Sequence, residues 1–250
     1  NRKHTVQFGS GLINNKFAIE GRLSHIQSEG YIDRASADLK SYFLSGTYFG
    51  KKTVLKAITF GGEEVTYQAW FGTPKARAEN DREGVLASAA NNGLSESQTD
   101  NLLNSGRTYN FYEYDNQVDN YNQDHYQLHI SHEFNKKLTV NGALHYTKGY
   151  GYFEEFRSGD GYGDYGLNDV IVGSDTIGST DLIRRRWLDN DFYGMTFSAN
   201  YNASKKLNFN LGGGINNYVG DHFGEIIWAQ FASTSFPREN YYESKSEKLD

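Results

Sequence analysis

The stretch Leu138-Thr139-Val140-Asn141-Gly142-Ala143-Leu144-His145-Tyr146-Thr147 alternates without a break. Leu138, Val140, Gly142, Leu144 and Tyr146 fall on one face, and Thr139, Asn141, Ala143, His145 and Thr147 on the other. A period of two belongs to a β-strand, whose successive side chains point to opposite sides. Two further runs repeat it. Leu207, Phe209, Leu211, Gly213 and Ile215 oppose Asn208, Asn210, Gly212, Gly214 and Asn216; Tyr193, Met195, Phe197, Ala199 and Tyr201 oppose Phe192, Gly194, Thr196, Ser198 and Asn200. Segments 5–12, 17–24, 41–48 and 125–134 alternate as well, whereas 53–60 is apolar on both faces and is the weakest strand. Helical periodicity is scarce, so the chain reads as all-β and antiparallel.

Composition narrows the class. The 250 residues include 27 Gly, 19 Tyr, 16 Phe and 3 Trp, with 2 Pro, 1 Met and no Cys. A mean hydropathy of -0.71, with no apolar run near the ~20 residues a spanning helix needs, excludes transmembrane helices. The absence of cysteine excludes disulfide scaffolds, thiol nucleophiles and thiolate zinc sites. Twenty-five basic residues against 31 acidic ones give a net charge of -6, which argues against nucleic acid as a partner. No Gly-x-Ser-x-Gly elbow, phosphate-binding loop or His-Glu-x-x-His motif is present, so no enzyme is expected and no cofactor is called for. The chain opens at Asn1 without an export signal and stops at Asp250 on what reads as a strand beginning near Tyr241. The expectation is a piece of something longer.

Alternation fits a soluble sandwich and a membrane barrel equally well; the connections separate the two. Short polar turns at 14–15, 50–52, 135–137 and 203–206 alternate with long segments at 25–40, 68–124, 154–190 and 219 onward. Loops beyond ~12–15 residues are rare in compact domains, and short turns on one rim with long loops on the other mark outer-membrane barrels. Tyr42, Tyr48, Tyr126, Tyr146, Tyr193, Tyr201 and Tyr218 lie near strand ends, where an aromatic girdle would sit. Leu138, Val140, Leu144, Phe197, Phe209 and Leu211 are therefore expected to face lipid, and Asn141, His145, Asn200 and Asn208 the interior. Eight strands could close a small barrel. The small residues on the polar faces would fill so narrow a lumen poorly, so an arc of a larger barrel is expected.

Four blocks carry a family resemblance: 60–74, from Phe60-Gly61-Gly62-Glu63 to Trp70-Phe71-Gly72-Thr73-Pro74; Arg107-Thr108-Tyr109-Asn110 followed by 119–128; 144–154; and Arg186-Trp187-Leu188-Asp189-Asn190-Asp191-Phe192-Tyr193-Gly194. They resemble motifs of TonB-dependent outer-membrane receptors, most of all the branch that imports iron chelates. The resemblance implies about 8–9 transmembrane strands of a 22-stranded β-barrel, with short periplasmic turns and long extracellular loops. It further implies a location in the outer membrane of a Gram-negative bacterium, surrounded by outer-membrane lipid. Residues 1–250 would be part of one barrel domain; the plug, the TonB box through which TonB couples, and the C-terminal aromatic strand are absent. An iron-siderophore or similar chelate is the implied ligand. Cobalamin, a peptide or a glycan on the same scaffold is the nearest alternative, and a soluble glycan-binding β-module is the alternative from another class.

Four groups of residues are candidates for chemistry. Segment 76–104 reads as an ordered helical excursion, with N-cap chemistry at Ser95 and Gly84 and Gly93 as breaks. Arg107, Tyr109, Tyr112 and Tyr114 follow it, and aromatic faces beside a cation could hold a planar anionic chelate in an extracellular vestibule. His125, His129 and His145 fall on lumen-facing polar positions, with His145 opposite Gln127 if the 135–137 hairpin is regular; polar contact with a plug is the plain reading, and a metal the sharper one. Asp160, Asp164 and Asp169, with Asn168, are oxygen donors among glycines that could wrap calcium, although they lack the spacing of a known calcium loop. Arg184-Arg185-Arg186 places Arg184 and Arg186 on one face and Arg185 on the other, for loop salt bridges, lipid headgroups or an anionic ligand.

Overall fold

The computed structural model describes residues 1–232 and 240–249. Nine strands form one antiparallel sheet: β1 (Arg2–Gly9), β2 (Phe17–Ser28), β3 (Ala37–Phe49), β4 (Thr53–Tyr67), β5 (Val118–Asn135), β6 (Leu138–Gly161), β9 (Ser179–Ser204), β10 (Leu207–Ala229) and β11 (Asn240–Leu249). They pair strictly in chain order, as an up-and-down meander. The two remaining strands, β7 (Val170–Val172) and β8 (Asp175–Ile177), form a small hairpin between β6 and β9. Because every pairing is sequential and antiparallel, the four short turns lie on one rim and the four long connections on the other. This is the expected arrangement. A sandwich needs a second sheet laid over this one, and among the described residues the only other sheet is that hairpin.

Register shows what each face is for. Ile19, Gly46, Ala57, Leu128, Leu144, Met195 and Ile215 are paired in one continuous row across the sheet. Leu144, Phe197, Phe209 and Leu211 are all more than half exposed, while Leu138 and Val140 are intermediate. In a sandwich these side chains would be buried. Here they form an uncovered apolar band, running from Leu138 to Tyr146 on β6 and from Tyr193 to Tyr201 on β9. That matches the ~9–11 tilted residues a strand needs to cross hydrocarbon. Among the described residues no helix is long and apolar enough to cross a membrane. Phe197 sits mid-band, and Phe197→Arg is expected to destabilise the sheet by about 2–4 kcal/mol, whereas Ser198→Arg on the opposite face costs far less. Urea unfolding in lipid vesicles measures the difference.

The band has a sharp upper edge. Tyr126, Tyr146 and Tyr193 are cross-strand partners on the apolar face, and the next row there reads Val6, Leu23, Tyr42, Gly61, Asp124, Lys148, Asp191 and Val219. The Tyr42 hydroxyl donates to Asp124 and that of Tyr146 to Asp191, while Lys148 bridges Asp189 and Asp191. Aromatic rings with polar tips, topped by ion pairs, form the boundary a girdle requires. Tyr218 does not belong to it. It pairs with Phe192 on the polar face and donates to Asn190 at 2.7 Å.

Above that edge the strands run further than the sequence pattern suggests. Segments 25–40 and 154–190 read as loops. β2 and β3 nevertheless take 25–28 and 37–40, and β6 and β9 take 154–161 and 179–190, leaving connections 29–36 and 162–178. β10 likewise continues to Ala229, and the last connection lies partly outside the described residues. Backbone pairing continues because it does not require one face to be apolar. Outside the band both faces are polar or aromatic, so the period-two signal fades although the strands do not end.

Candidate functional site

The connection 68–117 builds one side of the site. Asp81 caps α2 (Arg82–Asn91) by accepting from the Gly84 N–H at 3.0 Å. Ser95 and Gln98 form a reciprocal capping box at the start of α3 (Glu96–Asn104), which bears out the N-cap expected there. A one-turn α1 (Lys75–Ala78) precedes both. Gly93, at φ +62°, does end α2, whereas Gly84 lies in its first turn and breaks nothing. Val85, Ala89, Leu102 and Tyr109 form the core of this helical unit.

A buried polar clasp fastens the unit to the strands. The Glu154 carboxylate accepts from the Tyr114 hydroxyl, Asn116 Nδ2 and Arg185 Nε, each at 2.7 Å. Gln68 Nε2 donates to the carbonyls of Val118 and Glu154, and Gln117 Nε2 donates to Gln68 Oε1. Asn110, fully buried, donates to the carbonyls of Asp33 and Gln68. A segment without a strand ladder thereby satisfies its buried groups.

The clasp directs an aromatic cluster to the polar, inward face of the sheet. Trp70 meets Tyr112 edge-on at 6.2 Å and Phe153 at 5.7 Å, while Phe71 packs on Phe111 and Tyr112. Phe153 pairs with Arg186 and Arg186 with Gly224, which pairs with Tyr242 on β11. The Arg186 guanidinium lies 5.6 Å from the Phe153 ring centre and 5.3 Å from that of Tyr242, and its Nε donates to the Tyr242 hydroxyl at 3.1 Å. Gly224 makes room for this bracket: a Cβ there would come within 2.4 Å of the Tyr241 and Tyr242 rings. Arg184 and Arg185 are neutralised by Glu155 and Glu154. Arg186 is exposed and has no carboxylate partner among the described residues. The alternation expected for the three arginines is realised, with Arg185 alone on the outer side.

The expected quartet is dispersed. Tyr109 is buried in the helical core, and Tyr114 reaches Glu154 and Phe156 on the outer side of the sheet. Arg107 is exposed, with its Nε on the Ala78 carbonyl, and Tyr112 alone joins the inward cluster. Burial pushes the Tyr112 hydroxyl up to about 12, helped by the nearby Glu155. Trp70, Phe153, Arg186 and Tyr242 come together from four distant segments, a juxtaposition that alternation alone does not signal.

Asp119 pairs with Phe153 and shares this row. Burial first, then the charges of Glu64 and Glu155, raise its pKa to about 6. The folded value exceeds the unfolded one, so this carboxylate weakens the fold once ionised: stability falls as pH rises from about 4 to about 6 and stays reduced above. Asp119→Asn is therefore expected to raise the thermal midpoint at pH 8, and this gain should vanish below pH ~3, where both states are protonated. Melting curves across that range check the sign.

The three histidines occupy inward positions but do not meet. His125 bonds the Thr147 hydroxyl at 2.9 Å and stacks on Phe60, His129 bonds Gln127 at 3.0 Å, and His145 bonds Asn216 at 2.8 Å. His145 does sit opposite Gln127; the irregularity at Glu133 and Asn135 is confined to the turn. Asp160 is a strand residue bound to Arg157 at 3.0 Å and to the Tyr165 hydroxyl. Asp164 lies in a short 3-10 turn, and Asp169 in the coil before β7. No group of three or more metal-ligating side chains occurs among the described residues.

No protein-family model and no curated protein matches the chain. Solved structures do. The ferric preacinetobactin receptor BauA of Acinetobacter baumannii aligns with 90% of this chain at 9% identity and a TM-score of 0.53, over 31% of its own length. The RagAB peptide importer aligns with 99% of it at 13% identity and a TM-score of 0.56, over 28% of its length. The ferric-catecholate import receptor Fiu of E. coli K12 gives 0.45 at 10% identity, over half its length. The likeness is one of fold, an antiparallel up-and-down sheet of barrel-wall type. The chain spans about a third of the length of BauA and of the RagAB chain.

Proposed function

We propose that this chain is part of the barrel wall of a TonB-dependent receptor in the outer membrane of a Gram-negative bacterium, and that the receptor imports an iron chelate. The short turns would face the periplasm and the long connections the exterior. The inward histidines and asparagines would contact a plug carried elsewhere in the receptor, through which TonB acts. One observation supports a ligand of this kind above others: Arg186, an exposed cation without a carboxylate partner among the described residues, bracketed by two aromatic rings on the inner wall above the apolar band. A guanidinium held this way is a seat for a planar anion, by charge and by stacking. Trp70 and Tyr112 extend the seat, and Arg107 stands on the helical unit beside it. Capture of this kind calls for no catalysis.

The test uses the indole of Trp70, which is 56% exposed and touches both Tyr112 and Phe153. In the full-length protein, a ferric catecholate should quench tryptophan fluorescence saturably, and Trp70→Phe should remove most of that signal. Saturable quenching by cobalamin, a peptide or an oligosaccharide, with none by any ferric chelate, would move the receptor to another ligand class.

A further inference from the structure

The short-turn rim carries a charge pattern that import does not use. Lys16 and the pairs Lys51-Lys52, Lys136-Lys137 and Lys205-Lys206 occupy all four short connections, and sequential antiparallel pairing brings them to a single rim. Every one is exposed, and none has a carboxylate partner among the described residues. The apolar band ends beside them, at Phe134, Leu138, Tyr201 and Phe209 on the outward face. The nearest acids on these strands, Glu20 and Glu133, pair with Ser45 and Thr139 and so occupy inward positions, on the far side of the backbone. The opposite edge of the band differs: Asp124, Asp189 and Asp191 outnumber Lys148 there. Lys148 at that edge is held between Asp189 and Asp191, whereas the lysines of the short-turn rim have no carboxylate partner among the described residues.

We propose that this lysine rim binds the phosphate headgroups of anionic phospholipids in the leaflet it meets, drawing them around the barrel in preference to zwitterionic lipid. Lysine suits this role because its flexible stem lies along apolar surface while the ammonium reaches the headgroup plane. Attraction of this kind accumulates with each basic side chain held near an anionic surface and fades within a Debye length. Turns this short keep the ammonium groups beside the lipids instead of spreading them into water.

The segment contains no cysteine, so a bimane fluorophore can be attached through Ala203→Cys, on the outward side next to the rim. The full-length labelled protein is placed in mixed phosphatidylcholine–phosphatidylglycerol vesicles with one lipid brominated at a time. Brominated phosphatidylglycerol should quench several-fold more than its share of the mixture predicts. That excess should disappear when Lys51, Lys52, Lys136, Lys137, Lys205 and Lys206 are all replaced by Gln, and should also collapse in the native protein near 1 M salt, where the Debye length is about 3 Å. The salt arm keeps the test decisive if the variant fails to insert. Equal quenching by the two lipids in the native protein overturns the proposal and would leave an acidic protein as the rim's partner. An excess that persists in a folded Gln variant overturns the assignment to these lysines.

Discussion

Arg186→Ala should weaken binding of an anionic aromatic chelate by roughly 10–100-fold while leaving barrel assembly intact. The guanidinium contributes a cation–π contact of about 0.5–2 kcal/mol and a charged hydrogen bond of about 1.5–3 kcal/mol to a bound anion. At full strength these would sum to about 2–5 kcal/mol; Arg186 is exposed, so only the lower part, about 1.4–2.8 kcal/mol at about 1.4 kcal/mol per decade, is expected. Assembly is spared because Arg186 is exposed and, among the described residues, forms no ion pair, its side chain donating to the Tyr242 hydroxyl. Arg186→Lys separates the two contributions: it keeps the charge and loses the plane, so it should fall between wild type and alanine. Titration of a ferric catecholate against the three proteins decides. A Kd within twofold of wild type for Arg186→Ala would exclude the inner-wall seat as the binding site.

Glu154→Ala should have the largest effect on structure, and a local one. Its side chain is 2% exposed and accepts from three donors, one of them the partly exposed Arg185. Removing one member of a buried ion pair leaves the other without compensation and costs about 3–5 kcal/mol. Arg185 can turn partly towards water, so the low end of that range, about 3 kcal/mol, is expected. The loss falls on the root of the 68–117 connection, since Tyr114 and Asn116 lose their anchor while the β5–β6 ladder remains. Limited proteolysis should then cut within 105–117 much faster than in wild type, with the strands still protected. Cleavage at the wild-type rate would show that the helical unit is held by its apolar core alone. Because Tyr112 belongs to the same segment, the variant should also weaken chelate binding without touching Arg186.

The order and direction of the strands follow from the sequence because they depend on local quantities. Period-two alternation in 138–147 and 207–216 identifies strands, and polar turns such as Asn135-Lys136-Lys137 are too short to permit anything but antiparallel neighbours. The capping box at Ser95 is equally local, needing only residues three apart. The apolar face, the girdle tyrosines other than Tyr218, and the split of the three arginines between two faces all come from the same parity. Parity also places His145 opposite Gln127 once the hairpin is taken as regular.

Tertiary structure decided what parity cannot carry. It extended β6 and β9 well beyond the apolar band, where no apolar face remains to mark them. It divided the expected set of Arg107, Tyr109, Tyr112 and Tyr114, because burial of Tyr109 among Val85, Ala89 and Leu102 and the pull of Glu154 on Tyr114 depend on partners far away in the chain. It also assembled the seat. Trp70, Phe153, Arg186 and Tyr242 become neighbours only through strand register and the folding back of a long connection. A sequence states which side of a strand a residue faces, since that is set by the geometry of one backbone; which residues share that side at the same height depends on every register between them, and here that sum placed the Arg186 guanidinium between two rings.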